Sequence, residues 1–324
     1  MIFVVIPAHD NRATVLECRA CLGRQTNRAV QVILVDDGST DGTAEAVACQ
    51  YPETVILKGD GNLWWAGAMA RGVEYVLGHC GDGDFLLALN NDLTFDEHLL
   101  DALTEGSRKY PGAIVSSVVY DARDRACVLD AGQFFNGTTT TRALQPGCDA
   151  NLDTNVTTGR GVLFPVEVFR SAGNYAERWL PHYHSDFEMA LRAQRHGFYL
   201  VTYYKAKIYL RAEITGFGES LFKKRTPREL WAMAVSRRSV RDLRSTLAFL
   251  VLACPLKYAP RYVLKELVYA FWVYTGFTPL WQIRRPLATA CRLLFPDWYH
   301  RHEAELQESG DAHHPLPLSG DRLP

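Results

Sequence analysis

An α/β protein with a mostly parallel sheet flanked by helices is the fold class this sequence predicts, and two observations predict it. Short apolar runs at Ile2–Ile6, Val30–Val35, Val55–Leu57 and Phe85–Leu89 alternate with stretches of helical periodicity, the pattern of parallel strands joined by right-handed crossovers. Two of those runs lead straight into Asp36-Asp37 and Asn90-Asn91-Asp92, so polar groups stand at the carboxyl edge of the sheet, where such proteins bind ligands. With 324 residues, 48% of them hydrophobic and 22% charged, the chain can bury one large α/β core and carry an appendage.

Taken in order, Ile2–Ile6 reads as a buried strand that Pro7-Ala8-His9-Asp10-Asn11 breaks into a loop. Thr14–Gln25 reads as a helix capped by Thr14, with Glu17 three positions on. Val30–Val35 is a second strand, ending in Asp36-Asp37-Gly38-Ser39-Thr40-Asp41, a turn whose residues also suit the start of a helix over about 42–51. Val55–Leu57 is a third strand, Ala66–Gly78 a helix, and Phe85–Leu89 a fourth strand. A helix over Asp96–Lys109 follows, then strands at Ile114–Tyr120 and Val128–Phe135, with Asn136–Thr141 as turn or loop. Val162–Pro165 is a short strand, Phe187–His196 a helix stopped by Gly197, and Tyr199–Tyr204 a strand.

Charge divides the chain. The formal net charge is −1, yet the stretch from Lys205 to Arg292 holds 17 Lys and Arg against 5 Asp and Glu. A basic, aromatic-rich segment joined to an acidic body points to an anionic partner such as a membrane surface or a diphosphate. Its aromatics cluster with aliphatics instead of alternating with the charges, which argues against nucleic acid. Leu230, Trp231, Val240, Leu243, Leu247 and Leu250 keep a helical face while Arg237, Arg238, Arg241 and Arg244 decorate the other. Phe249–Ala253 and Val268–Leu280 are too short or too interrupted to span a bilayer, which needs about 20 apolar residues. The segment reads either as a monotopic membrane-interfacial attachment or as a helical homodimer interface. The expected division is a catalytic body at 1–225, this helical segment at 226–302, and a mobile tail at 303–324. No basic leader precedes the strand that starts at Ile2, so the body is expected in the cytoplasm, on the inner face of the membrane if the attachment holds. Of eight cysteines only Cys18 and Cys21 form a C-x-x-C, on one helix face, a spacing that suits packing.

Asp36, Asp92 and Asp186 lie where strands end or a helix begins, and a carboxylate cluster at a sheet edge tolerates a diphosphate only if a divalent cation bridges the two. Val4-Val5-Ile6-Pro7-Ala8-His9-Asp10, then Val35-Asp36-Asp37-Gly38-Ser39-Thr40-Asp41-Gly42-Thr43, then Leu89-Asn90-Asn91-Asp92 resemble the ordered signature of family 2 inverting glycosyltransferases with the nucleotide-diphospho-sugar transferase (GT-A) fold, over about residues 2–216. Gly61-Asn62-Leu63-Trp64-Trp65-Ala66-Gly67-Ala68, Thr158-Gly159-Arg160-Gly161-Val162-Leu163 and the run from His182 to Arg192 resemble the rhamnosyltransferase-like members that build bacterial surface polysaccharides.

That resemblance implies an enzyme moving a sugar, rhamnose or another hexose, from a nucleotide-diphosphate donor to a glycan or polyprenyl-linked acceptor. Asp36 would hold the base in a pocket lined by Pro7, Ala8 and Asp10, with Asn62, Arg71 and Asn91 helping to place the nucleotide diphosphate. Asp92 matches the last carboxylate of the family's D-x-D element and would bind Mg²⁺ or Mn²⁺. Asp186 matches the catalytic base, with a helix N-cap as the structural alternative. Arg160 and the metal would offset charge on the departing diphosphate. Trp64 and Trp65 either stack on a sugar face or fill the core, and His182 and His184 would position the acceptor or pack, with metal ligation as the further alternative. The sequence departs from the pattern twice: Asn90 and Asn91 replace carboxylates, and Ile208-Tyr209-Leu210-Arg211 lacks the metal-binding His of many members, so that Arg211 could supply cationic charge instead. Two other readings are a sugar nucleotidyltransferase and a non-catalytic nucleotide-sugar binding protein. The first needs a Gly-rich, basic loop after the first strand, and Pro7–Arg12 is not one.

Overall fold

The computed structural model describes residues 1–137, 140–142, 148–211, 234–237, 239, 242–254 and 258–264. The strands are β1 (Ile2–Ala8), β2 (Val30–Asp36), β3 (Val55–Lys58), β4 (Phe85–Ala88), β5 (Leu93–Thr94), β6 (Ile114–Asp121), β7 (Val128–Asp130), β8 (Gln133–Phe135), β9 (Thr140–Arg142), β10 (Ala150–Asn151), β11 (Val162–Pro165) and β12 (Leu200–Leu210). The helices are α1 (Arg12–Gly23), α2 (Thr43–Gln50), α3 (Trp64–Leu77), α4 (Leu99–Lys109), α5 (Val166–Ala172), α6 (Ser185–Arg195) and α7 (Leu243–Leu252).

The main sheet runs β10-β12-β6-β11-β4-β1-β2-β3. β3, β2, β1 and β4 are mutually parallel, β6 and β12 run parallel to each other, and β11 lies antiparallel between β4 and β6. This is the mostly parallel sheet that the alternation predicts. β1 shows why its sequence is unbroken in hydrophobicity: Ile2, Val4, Ile6 and Ala8 enter a core shared with α1, α2 and α4, while Phe3 and Val5 enter the opposite core with α3, α5 and α6. A strand covered on both faces needs apolar residues at both phases of its period of two. α3 reaches β1 through Gly72, where a Cβ would stand 2.3 Å from Val5 Cγ1.

Several boundaries move, each for a visible reason. β1 continues through Pro7, because the backbone of Val5 faces β4, accepting from Leu89 N; two residues on, the missing N–H of Pro7 faces the same side, past the end of that strand. Thr14 does not cap α1, which begins at Arg12 with Asn11 at its N-cap; Thr14 sits in the first turn and donates Oγ1 to Asn11 O at 3.0 Å. α4 starts at Leu99, since the Asp96 carboxylate takes the His98 N–H in a turn of its own. The expected strand 128–135 is two strands broken at Gly132, whose φ is +107°, and Thr140–Arg142, expected as loop, pairs with β8. β12 runs six residues beyond Tyr204 because Lys205 and Lys207 alternate with buried Ala206, Ile208 and Leu210 as a half-exposed strand requires.

In the C-terminal segment α7 packs by a face other than the expected one. Phe249 is buried against Phe135, His184 and Tyr262, and Asp242 caps the helix by accepting from Ser245 N at 3.1 Å. Leu243 and Leu247 are exposed instead. Most of the remaining basic segment and all of the tail fall outside the described residues. No helix among the described residues is long and apolar enough to cross a membrane.

Candidate active site

The sheet brings the predicted residues to one edge. β1 ends at Ala8, β2 at Asp36, and β4 leads into Asn90-Asn91-Asp92. Because β11 runs antiparallel to β4, the turn that precedes it, Thr158–Gly161, also falls on this edge, and the carboxylate of Asp186, in the first turn of α6, reaches that turn.

On the donor side, Asp36 is buried and accepts from the Oγ of Ser39 and, at 3.4 Å, from its N–H. Ser39 Oγ also accepts the Asp10 N–H at 3.0 Å, and the Asp10 carboxylate accepts from Thr40 N at 2.7 Å. Asp10 and Asp36 are thus joined through one serine, and an open cleft of about 600 Å³ lined by Asp10, Asn11, Arg12 and Asp41 lies beside them. Asp37 takes Gly61 N at 2.8 Å on one oxygen and Trp64 N at 3.0 Å on the other. That pair fixes the loop carrying exposed Asn62 and starts α3 two residues before the expected Ala66, with Trp64 at φ +57°. Arg71 is not gathered with these groups: it is exposed on α3, about 10 Å along the helix from Trp64.

Asn90, Asn91 and Asp92 divide their tasks. The Trp65 indole N–H donates to Asn90 Oδ1 at 2.8 Å, and Asn91 Nδ2 donates to Pro7 O at 3.0 Å. The two asparagines therefore fasten the turn to α3 and β1. Asp92 alone presents its carboxylate: it is 9% exposed, its Oδ1 has no hydrogen-bond partner, and burial raises its pKa, with Arg160 pulling the other way. An orphaned buried carboxylate oxygen fits a hard cation that takes its remaining ligands from phosphate oxygens and water. An all-protein cage is absent among the described residues, where no three His, Cys, Asp or Glu converge. Arg211 is committed elsewhere, to Glu17 at 2.6 Å.

Asp186 is partly buried, and desolvation raises its pKa; the N–H groups of Phe187 at 2.9 Å and Gly159 at 3.3 Å, together with the charge of Arg160, oppose that rise. The N-cap of α6 is His184, at φ +68°, so Asp186 is not the cap that the structural alternative supposed. Arg160 stands within electrostatic reach of both Asp92 and Asp186. Trp64 meets His182 edge-on at 5.8 Å, whereas His184 stacks on Phe249 of α7 at 5.1 Å. Further along α6, buried Glu188 holds Arg192 in a two-pronged ion pair, and Arg192 also donates to the carbonyl of Asn174 at 2.8 Å.

Sequence reasoning missed Asp37, Gly159 and Tyr175. Asp37 had a signal, a second carboxylate in a doublet where one binds ligand. Gly159 stood in the Thr158–Leu163 motif without a role of its own and Tyr175 had no signal, because what matters is a backbone N–H and a ring buried beside Asp186.

Residues 3–163 match the model of glycosyl transferase family 2. An N-acetylglucosaminyl-diphospho-decaprenol L-rhamnosyltransferase of Mycobacterium tuberculosis is 32% identical over 100 residues, 29% of this chain and 33% of that one. An N-acetylglucosaminyltransferase of Azorhizobium caulinodans is 27% identical over 130 residues, 38% of this chain and 32% of that one. The chain thus aligns with about a third of the length of these curated relatives. Among solved structures, a mannosyltransferase from Pyrobaculum calidifontis in complex with GDP-Man and Mn²⁺ superposes with a TM-score of 0.52 at 15% identity, over 95% of this chain and 85% of that one. GalNAc-T7 with UDP, GalNAc and Mn²⁺ gives 0.53 at 12% identity, over 82% and 57%. The scaffold is theirs, and with the match over residues 3–163 the chain belongs to glycosyl transferase family 2.

Proposed function

We propose that this protein is an inverting glycosyltransferase that moves a sugar, rhamnose or another hexose, from a nucleotide-diphosphate donor to a lipid-linked or growing surface glycan. The observation that carries the reading is the pair of desolvated carboxylates, Asp92 and Asp186, that share the charge of Arg160 at the carboxyl edge of the sheet. Asp10 lines the cleft where the base and ribose would lie, and Asp36 is joined to it through Ser39. Asp92 would hold Mg²⁺ or Mn²⁺, which when bound neutralises the donor diphosphate. Asp186 takes the proton of the acceptor hydroxyl as that oxygen bonds to the anomeric carbon. The bond from that carbon to the diphosphate breaks on the opposite face, its electron pair leaves with the nucleoside diphosphate, and configuration inverts. Raised by burial, the Asp186 carboxyl is a stronger base than an exposed one, and Arg160 offsets charge on the leaving group. Trp64 and His182, together at the rim, suit the acceptor.

A thermal-shift panel of nucleoside diphosphates and their sugars tests this, with and without Mn²⁺. One diphosphate and its sugars raise Tm more with the metal than without, by the equivalent of about 2.7 kcal/mol at a hundredfold excess over Kd. If no member of the panel shifts Tm, the donor reading fails.

The basic segment would hold the enzyme against anionic headgroups on the inner face of the membrane. Full-length protein is expected to co-sediment with phosphatidylglycerol vesicles at low salt, to be released at high salt, and to ignore phosphatidylcholine vesicles. Absence of binding together with a dimer in solution would favour the dimer-interface alternative.

A further inference from the structure

We propose that Trp65 is a positioning residue for the base, carrying the placement of the turn after β4 to Asp186 through the backbone of Gly159. The proposal rests on the glycosyltransferase reading and assigns Trp65 a task other than stacking on sugar. Three neighbours hold the indole. Its N–H donates to Asn90 Oδ1 at 2.8 Å. Its ring meets that of buried Tyr175 edge-on, with centroids 5.5 Å apart and planes at 85°. Its benzo edge lies on the Cα of Gly159, so closely that a Cβ there would stand 2.1 Å from Cζ2 and 2.5 Å from Cη2.

Gly159 is where that contact acts on chemistry. Its N–H donates to Asp186 Oδ2 at 3.3 Å, near the long limit for such a bond, so a shift of a few tenths of an ångström decides whether it forms. The next residue is Arg160, the cation shared by Asp92 and Asp186. The turn Thr158–Gly161 therefore sets both the hydrogen bond and the charge that the base feels, and the indole is the wall against which this turn rests. Asn90 lies two residues before Asp92, so the same indole touches the turn that would grip the donor diphosphate. The base is thereby oriented with reference to the donor-holding turn and not only by its own helix.

The test uses full-length wild type, Gly159→Ala, Trp65→Phe, the double variant and Asp186→Asn. The assay is release of nucleoside diphosphate from UDP-, GDP- and dTDP-linked hexoses and deoxyhexoses, with water as acceptor, each variant below its own melting transition. Gly159→Ala places a methyl where the indole stands; kcat is expected to fall about 100-fold, the cost of a misplacement of about 1 Å, with KM for the donor within about twofold. The acid limb of its pH profile moves to higher pH, since losing the Gly159 N–H removes a bond that favours ionised Asp186. The double variant, in which the smaller phenyl ring makes room for the methyl, recovers at least about tenfold in kcat and moves the acid limb back. Such recovery is a non-additivity that only contacting residues show. If Gly159→Ala turns over like wild type, or if the double variant is no better than Gly159→Ala, the positioning role is overturned while the base reading stands. If Asp186→Asn is as active as wild type, the base reading itself fails, an outcome separate from the other two.

Discussion

Asp186→Asn is expected to lower sugar transfer by about 1,000-fold, the middle of the range for removing a general base, without lowering the melting temperature at pH 7. The two halves of this expectation come from one fact. Burial raises the carboxyl pKa of Asp186 in the folded state, so the native protein binds that proton more tightly than the unfolded chain does. Stability contributed by the group is therefore full below the ordinary carboxylate range and is lost as pH rises through the raised folded value. Once ionised, the carboxylate is a liability to the fold, and asparagine removes the charge while retaining an oxygen for the Phe187 N–H. A helix-capping aspartate would behave in the opposite way, giving up about 1 kcal/mol on neutralisation. Rates of nucleoside diphosphate release and melting curves from pH 5 to 9 separate the cases. Equal rates in variant and wild type would remove Asp186 from the mechanism, and a fall in Tm would return it to the helix end.

Asp92→Ala is expected to weaken Mn²⁺-dependent donor binding by about 100-fold, the scale on which metal sites respond to loss of their supports, and to leave metal-free binding of the diphosphate little changed. Among the described residues Asp92 offers the one buried carboxylate oxygen without a partner at this edge, and its neighbours Asn90 and Asn91 are bound to Trp65 and Pro7. Titration of the donor by calorimetry with Mn²⁺ and with EDTA reads the difference directly. The same sign argument applies to stability, since burial raises the Asp92 pKa as well: the alanine variant should melt no lower than wild type at neutral pH, so weak binding cannot be ascribed to unfolding. Binding that keeps its full metal dependence would place the cation elsewhere.

The parts of this molecule that were legible in the sequence are those governed by period and by strand ends. β1 and β4 are apolar at both phases because both faces are covered, and the polar residues that follow β1, β2 and β4 had to stand at one edge. Cys18 and Cys21 pack, as their spacing suggested: both are buried, and burial pushes the Cys18 thiol pKa up. Three kinds of feature were hidden. Direction was one: nothing in Val162–Pro165 says that β11 runs antiparallel, although only that direction brings Arg160 to the site. Partnership was another: Asn90 and Asn91 stood out only as replacements for carboxylates, with Asn91 expected at the donor, and both fasten the turn, a task set by Trp65 and Pro7 at distances of 25 and 84 residues along the chain. The packing face of α7 was the third, because Leu243 and Leu247 are as apolar as Phe249 and only the neighbours Phe135 and His184 choose between them.

β11 also has a consequence for how the chain assembles. Of the two strands that lie between β4 and β12 in the sheet it is the later to emerge, yet it takes the place between β4 and β6, two strands that precede it in the chain. The edge of β4 therefore stays open through some 70 residues of sequence, and the sheet closes only when the segment bearing Arg160 is inserted. Contacts of such long sequence separation form slowly, since the loop must be closed before the pairing repays it. A chain made only as far as β6 holds Asp36 and Asp92 without the charge of Arg160, because the strand that joins β4 to β6 is the one whose preceding turn delivers it.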